Sequence, residues 1–365
     1  MKNIGVFFGG KSVEHDISII TGVLTLNAMK NTKFNPIPIY VSKDGEWYTG
    51  QTLFNLDEYK NLQFNKLARV TLTMGSNTLH SVKGKKLKPL YALAGGLNCM
   101  HGANGENGSL NGVMNFTNIP MCSPDVLASS VCMDKTLTKV MLKGLNVKTV
   151  PSITISDVSE CDDIKEKLNY PLVVKPNQLG SSIGIAKVFD SEGLEKACLD
   201  AFRFGSKVIV EKAMSNFKEI NCACFRDSKG NVIVSQCERP LSKGELLSFD
   251  DKYKQGGREF PALLEGDIEC KIRQTTALIY EKLNMEGVIR IDYFVTKKSV
   301  YVNEINTVPG SLAYYLFCSS LKEFSSLLQD VIEGSIMRSN QRETFVTKID
   351  TGILNMAGCK SSKRL

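Results

Sequence analysis

The sequence predicts an α/β protein, α+β in parts, made of three successive units with a parallel-sheet unit first. Three observations carry this. The first third alternates short apolar strands with helix-length stretches and glycine-rich turns. The last third runs strand by strand instead, and at 365 residues the chain exceeds one small core. Hydrophobic content of 42% and charged content of 23% are ordinary for a soluble globular protein.

Ile4–Phe8 reads as a strand, Glu14–Met29 as a helix with apolar spacing at Ile17, Ile20, Val23 and Leu24, and Asn35–Val41 as a second strand. Residues 46–88 have no regular pattern. Leu90–Cys99 then leads into the glycine-rich stretch His101–Gly108, a loop after a strand as in doubly wound sheets. A second unit starts near Pro124. It holds a helix over Ser130–Lys143 stopped by Gly144, strands Leu172–Pro176, Ile185–Phe189 and Lys207–Glu211, and a helix over Ser191–Phe204. The third unit has strands Glu219–Phe225 and Val232–Cys237, a polar stretch Leu246–Gly257, a helix Cys270–Leu283, a hairpin, and a helix Glu323–Arg338. The expected divisions are 1–123, 124–211 and 212–338, with a polar extension at 339–365.

The net charge of +7 is spread out, and the basic stretches Lys83–Lys88 and Lys360–Arg364 read as solvated, so no nucleic-acid partner is expected. Met1-Lys2-Asn3 runs straight into an apolar strand too short for a signal peptide, and no run approaches a membrane span. Eleven cysteines, an odd number, fit no zinc spacing. Cys222 and Cys224 share a strand face, while Cys99, Cys122, Cys132, Cys198 and Cys318 read as core residues. A reducing cytoplasmic setting is expected.

The hairpin carries the densest chemistry. Its strands are Val288–Val295 and Val300–Asn306, joined by Thr296-Lys297-Lys298-Ser299. Alternation places Arg290 and Asp292 on one face, and Glu304 and Asn306 on one face. A turn centred on Lys298 would set Asp292 opposite Glu304 and Arg290 opposite Asn306, with Ile289, Ile291, Tyr293, Tyr301 and Ile305 buried behind them. A two-residue turn would break that register. Two carboxylates and an amide carbonyl suit a hard cation such as Mg2+. The bland alternative is a solvated sheet face with one Arg–Asp pair.

Gly5-Val6-Phe7-Phe8-Gly9-Gly10-Lys11-Ser12 matches the P-loop pattern by letter, but Ile4–Phe8 looks like the strand itself, which leaves too little loop. The better phosphate cradle is Gln178–Gly184, whose backbone N–H groups and the hydroxyls of Ser181 and Ser182 can close over an anion, with Lys175 at the preceding strand end. Lys135 is a second candidate cation. Glu211, Met214 and Glu219 lie where a crevice between units would need an apolar wall and a carboxylate.

Together these segments resemble the ATP-grasp ligases, and more closely the D-alanine–D-alanine ligase family, over about residues 1–335. The likeness rests on Gly9–Glu14, His101-Gly102 with Gly105–Gly108, Met133-Asp134-Lys135, Lys175-Pro176 with Gly180–Gly184, Asp251-Lys252-Tyr253, Arg290-Ile291-Asp292, and Asn303–Gly310. It implies a three-domain ATP-grasp architecture: an N-terminal substrate-binding domain, a central ATP-grasp domain, and a C-terminal catalytic one. It also implies ATP as co-substrate, two Mg2+ (or Mn2+) ions, D-alanine as substrate, a role in peptidoglycan precursor synthesis, and a homodimer.

By family position, Glu14 would hold the first substrate's ammonium with His101 nearby. Lys135 and Lys175 would bind ATP phosphates, with Ser181 and Ser182 in the loop over them. Glu211 and Met214 would line the adenine site, and Glu219 would take the ribose. Asp292, Glu304 and Asn306 would hold the metals, and Arg290 with the Gly310 N–H would stabilise an oxyanion. Lys252 and Tyr253 would sit on a water-excluding lid. One position departs from the family pattern: Tyr315 falls where a serine for the second substrate's carboxylate is expected, so Tyr315 or Ser311 substitutes, or the acceptor differs. D-lactate or D-serine as acceptor, and a non-catalytic nucleotide-binding protein, are the alternative readings.

Overall fold

The computed structural model describes residues 1–241 and 257–352. The first sheet has β1 (Lys2–Gly9), β2 (Phe34–Val41), β3 (Trp47–Thr49), β4 (Ala68–Leu72), β5 (Thr78–Lys83), β6 (Lys86–Asn98) and β7 (Met121–Cys122), paired in that order, with β1 also pairing β6. β1 runs parallel to β2 and β6 and is buried from Ile4 onward, as a strand covered on both faces must be. The P-loop reading fails here: Gly5–Phe8 is extended strand, and the left-handed turn is confined to Gly9 and Gly10. The segment 46–88, without pattern in the sequence, supplies the antiparallel strands β3–β5 and three short 3-10 turns.

Helix α1 (His15–Met29) packs on this sheet through half of the expected stripe, Val23 and Leu24. Ile20 is exposed and Ile17 half-buried, both lining a cavity, whereas Ser18, Thr21 and Thr25 are buried beside Ile19, Val23 and Leu26. Helix α2 (Ser109–Phe116) follows the glycine-rich loop.

The expected helix over Ser130–Lys143 is two helices, α3 (Val126–Met133) and α4 (Lys135–Gly144). Asp134 breaks it: extended there, it accepts from the Leu137 N–H and caps α4. Gly144 stays helical, and Asn146 makes the left-handed turn. The second sheet is β10 (Ala186–Val188), β9 (Leu172–Pro176), β11 (Val208–Lys212) and β8 (Ser152–Ile155), all antiparallel, with α5 (Cys161–Lys167) and α6 (Ser191–Phe202) around a core of Leu172, Val174, Leu194, Cys198 and Val210.

The third sheet is β13 (Val232–Val234), β12 (Lys218–Arg226), β16 (Ile289–Val295) and β17 (Val300–Asn306), backed by α7 (Ile268–Lys282). A small ribbon of β14 (Arg239–Leu241) and β15 (Gly257–Glu259) completes the described strands. The β16–β17 turn is the two-residue one: Val295 pairs with Val300, and the Thr296 N–H reaches the Ser299 carbonyl at 2.9 Å. The functional register survives nonetheless, because a bulge leaves Asn303 unpaired and restores Asp292 opposite Glu304 and Arg290 opposite Asn306. The bulge also switches faces near the turn, so Val302 is buried in place of Tyr301.

Helix α8 (Leu321–Glu343) leaves the third unit and packs back on the first: Phe324, Leu328, Val331 and Ile332 share a core with Ile4, Val6 and Phe8. It carries helix into the expected extension, since Arg342 still bonds the third unit. Glu286, buried, takes Arg338 Nε at 2.7 Å and Nη2 at 2.5 Å, and Arg342 Nη2 at 2.7 Å. The cysteines among the described residues are free thiols; Cys318 is half-buried rather than core. Arg338→Met leaves the buried Glu286 with Arg342 as its remaining cation, so unfolding free energy should fall by about 2 kcal/mol in denaturant titration.

Candidate active site

The site lies where the three units meet, in a cavity of ≈ 470 Å³ whose wall includes Glu14, His101, Lys135, Ser181, Arg290, Asp292, Glu304, Asn306, Gly310, Ser311 and Tyr315. The β16–β17 register forms one side. Arg290 grips Asp292 through two bonds, Nε to Oδ1 at 2.7 Å and Nη2 to Oδ2 at 2.9 Å, and Asn306 Nδ2 donates to the same Oδ2 at 3.1 Å. Lys135, first residue of α4, reaches across to Glu304 Oε1 at 3.1 Å and to the Leu179 carbonyl at 2.7 Å. The helix break at Asp134 is what lets it do so.

Among the described residues no three His, Cys, Asp or Glu side chains converge. The donor set is two carboxylates and an amide, oxygen chemistry that fits Mg2+ when phosphate and water complete its shell. In the structure Arg290 and Lys135 neutralise these carboxylates.

Behind Lys135 lies a buried charge cluster. Glu211 receives Lys175 Nζ at 2.7 Å and Lys139 Nζ at 2.8 Å. Burial opposes its ionisation, but the two lysines outweigh that and hold its carboxyl down at about 2. Lys175 also reaches Asn303 Oδ1 at 3.3 Å, so the bulge residue touches the cluster. Beside it is a small pocket lined by Val150, Val173, Met214, Phe217 and Phe294, with Lys175, Lys187, Glu211 and Lys212 at its edge. Glu219 pairs with Phe294 across β12–β16, at this same edge.

On the opposite side Glu14 meets Ser181, whose hydroxyl donates to Glu14 Oε1. Ser181 and Ser182 both have positive φ, 55° and 58°, which turns the loop toward α1. Gly102 (φ +71°) backs onto Glu14: a Cβ there would stand 2.7 Å from its Oε2.

His101 lines the cavity, and both its ring nitrogens are bonded within the protein, Nδ1 to the Val308 carbonyl at 2.7 Å and Nε2 to Thr21 Oγ1 at 2.8 Å. Burial lowers its pKa from 6.5 to about 4, against the Val308 bond, so the ring is neutral. Val308 O can only accept, which puts the proton on Nδ1; Thr21 O–H then donates to Nε2 and accepts the Ser311 N–H at 3.0 Å. Glu106 ties the same two segments, accepting from the Gly102 N–H at 2.8 Å and the Val308 N–H at 3.1 Å. Burial and the nearby Glu14 push its carboxyl up to about 8.

These ties hold a strained turn. Ser311, Leu312 and Ala313 have φ of 52°, 50° and 47°, three consecutive left-handed residues that are not glycine, each costing about 1–2 kcal/mol. A Cβ at Gly310 would meet no protein atom within 4 Å, so the space before it opens on the cavity. Tyr315 follows, with Arg290 Nη1 3.5 Å from its hydroxyl. Lys252, Tyr253 and the expected lid lie outside the described residues apart from Gly257. Sequence reasoning missed Thr21, Glu106, Lys139 and Asn303. Glu106 and Asn303 stood inside quoted motifs; Thr21 and Lys139 carried no signal of their own.

Fold and site are those of an ATP-grasp ligase. The chain belongs to the D-alanine–D-alanine ligase family: the family models described as D-ala D-ala ligase N-terminus and C-terminus match residues 3–124 and 141–336. It is 36% identical to the D-alanine–D-alanine ligase of Thermosipho melanesiensis, over 98% of this chain and 99% of that one. Among solved structures it is similar to the D-alanine–D-alanine ligase of Helicobacter pylori (27% identity, TM-score 0.75, 92% of this chain and 98% of that one). The D-Ala:D-Ser ligase of Enterococcus faecalis is also similar (26%, TM-score 0.74, 93% and 98%). No helix among the described residues is long and apolar enough to cross a membrane.

Thr21→Val keeps shape but removes the donor to His101 and the acceptor for Ser311; kcat/KM should fall about ten- to a hundredfold with the far-UV spectrum unchanged. His101 also predicts a pH slope. The unfolded chain binds the proton at its ordinary 6.5 and the native state only near 4, so stability present above the former is lost as pH falls through this window. In His101→Gln, unfolding free energies at about pH 7 and pH 4.5 should differ less than in the unsubstituted protein; an equal difference contradicts the assignment.

Proposed function

We propose that this chain joins two D-alanines to D-alanyl-D-alanine for peptidoglycan precursors, with ATP converted to ADP and phosphate. The observation that carries the reading is the fixed row Arg290, Asp292, Glu304 and Asn306, facing the same cavity as Glu14 and Gly310.

A carboxylate is a poor electrophile until one of its oxygens becomes a leaving group. The donor carboxylate attacks the γ-phosphate of ATP, breaking the bond to the β-phosphate oxygen and forming an acyl phosphate and ADP. The acceptor amine then attacks the acyl carbon, and the C–O bond breaks with release of phosphate. Glu14, kept in place by Ser181, binds the donor ammonium. Arg290 and the N–H of Gly310, residues that both line the cavity, stabilise the tetrahedral oxyanion. Lys135 and Lys175 exchange their carboxylate partners for phosphate oxygens, and Ser182 lies in the loop over them. Met214 walls the adenine site beside Glu211, and Glu219 takes the ribose. Asp292, Glu304 and Asn306 would hold two Mg2+ ions, which would neutralise the triphosphate.

D-Alanine as acceptor is supported by the naming of the relatives and by Tyr253, which resembles the D-alanine-accepting type. D-Serine stays a second reading because the structural neighbour from Enterococcus faecalis carries that name. Phosphate release with D-alanine, D-serine and D-lactate offered in pairs, with product masses, tests both. Arg290→Ala and Asp292→Asn should each lower kcat by about a hundredfold or more, whereas Lys11→Ala should leave it nearly unchanged. Undiminished turnover in the first two would put the chemistry elsewhere.

A further inference from the structure

The acceptor amino acid brings a carboxylate, and the serine expected to meet it is absent. Arg290 is engaged with Asp292 through two bonds at 2.7 and 2.9 Å. A second guanidinium, unassigned so far, lines the cavity. Arg258, on β15, lies 5.1 Å from the centroid of the Tyr315 ring. Its Nη1 donates to the Tyr315 carbonyl at 3.3 Å and to Glu238 Oε1 at 3.5 Å, both at the long end for a charged pair. These contacts use one nitrogen of a side chain that has five N–H donors.

Glu238 is the matching anion. It is 4% exposed, and its backbone exchanges two bonds with Asn221, at 2.8 and 2.9 Å, which fixes its position. Asn221 pairs in turn with Asp292 on β16, so Glu238 is set against the catalytic row. Among the described residues its carboxylate has long bonds, 3.3 Å from Asn221 Nδ2 and 3.5 Å from Arg258. Burial raises its pKa despite Arg290, so a further cation beside it is favoured.

We propose that Arg258 receives the carboxylate and Glu238 the ammonium of the acceptor amino acid, with the Tyr315 ring as the wall in place of the expected serine. The proposal rests on the ligase reading and narrows it. A zwitterionic α-amino acid satisfies both groups; an α-hydroxy acid presents no cation to Glu238.

Initial rates over a wide D-alanine range give separate apparent constants for donor and acceptor sites. Arg258→Met should raise the acceptor-site KM about tenfold or more and leave the donor-site KM within about twofold, and Arg258→Lys should recover part of the loss. Glu238→Gln should raise the ratio of D-lactate to D-alanine incorporation about tenfold or more. Unchanged constants in Arg258→Met, equal changes at both sites, or an unchanged ratio in Glu238→Gln overturns the proposal. If the unsubstituted protein forms no D-alanine-dependent ADP, the ligase reading fails and the proposal falls with it.

Discussion

Asp292 faces Glu304, and Arg290 faces Asn306, because β17 carries one residue more than β16 between those pairs and the turn. A two-residue turn by itself would pair residues one step out, and with a side-chain period of two that shift would send Glu304 and Asn306 to the core face. The bulge at Asn303 cancels the shift before the functional pairs are reached. It also brings the Asn303 amide to Lys175, so the Arg290–Asn306 row and the buried lysine share one backbone irregularity. Bulges cluster beside active sites for this reason: they re-aim side chains without changing the strand's partners.

The charges around that row are matched in advance. Arg290 with Asp292, Lys135 with Glu304, and Lys139 and Lys175 with Glu211 form three partly or fully buried sets. Each of these cations is held on a protein carboxylate, so within these sets no charge is buried alone. A triphosphate with its cations can exchange partners across these sets with little reorganisation, the condition under which electrostatic stabilisation is largest. The donor side is organised differently, by neutral hydrogen bonds from Thr21 through His101 to Val308, which hold the strained turn after Gly310 against α1.

Much of this was legible in the sequence because it follows from alternation and from short motifs. The face shared by Arg290 and Asp292, the loop over Gln178–Gly184, and the strand that rules out a P-loop all came from local pattern. What escaped was tertiary. The α1 stripe misled because Ile17 and Ile20 face the cavity while Ser18, Thr21 and Thr25 turn inward to polar partners. The break at Asp134 needs a capping side chain that reads equally well as a helical residue. Chain order cannot reveal that Val308, far downstream, bonds His101 Nδ1. The strands of residues 46–88 are short and half-buried, so tertiary pairing rather than pattern defines them.

The central claim is that this row of side chains serves phosphoryl transfer to a carboxylate. Its most direct test is to supply D-alanine labelled with 18O in both carboxylate oxygens, together with Mg-ATP, and to follow the label into inorganic phosphate. Activation through an acyl phosphate requires one 18O in phosphate for each dipeptide formed, because the oxygen that bonds to phosphorus leaves with it. Dipeptide accompanied by unlabelled phosphate would contradict the account.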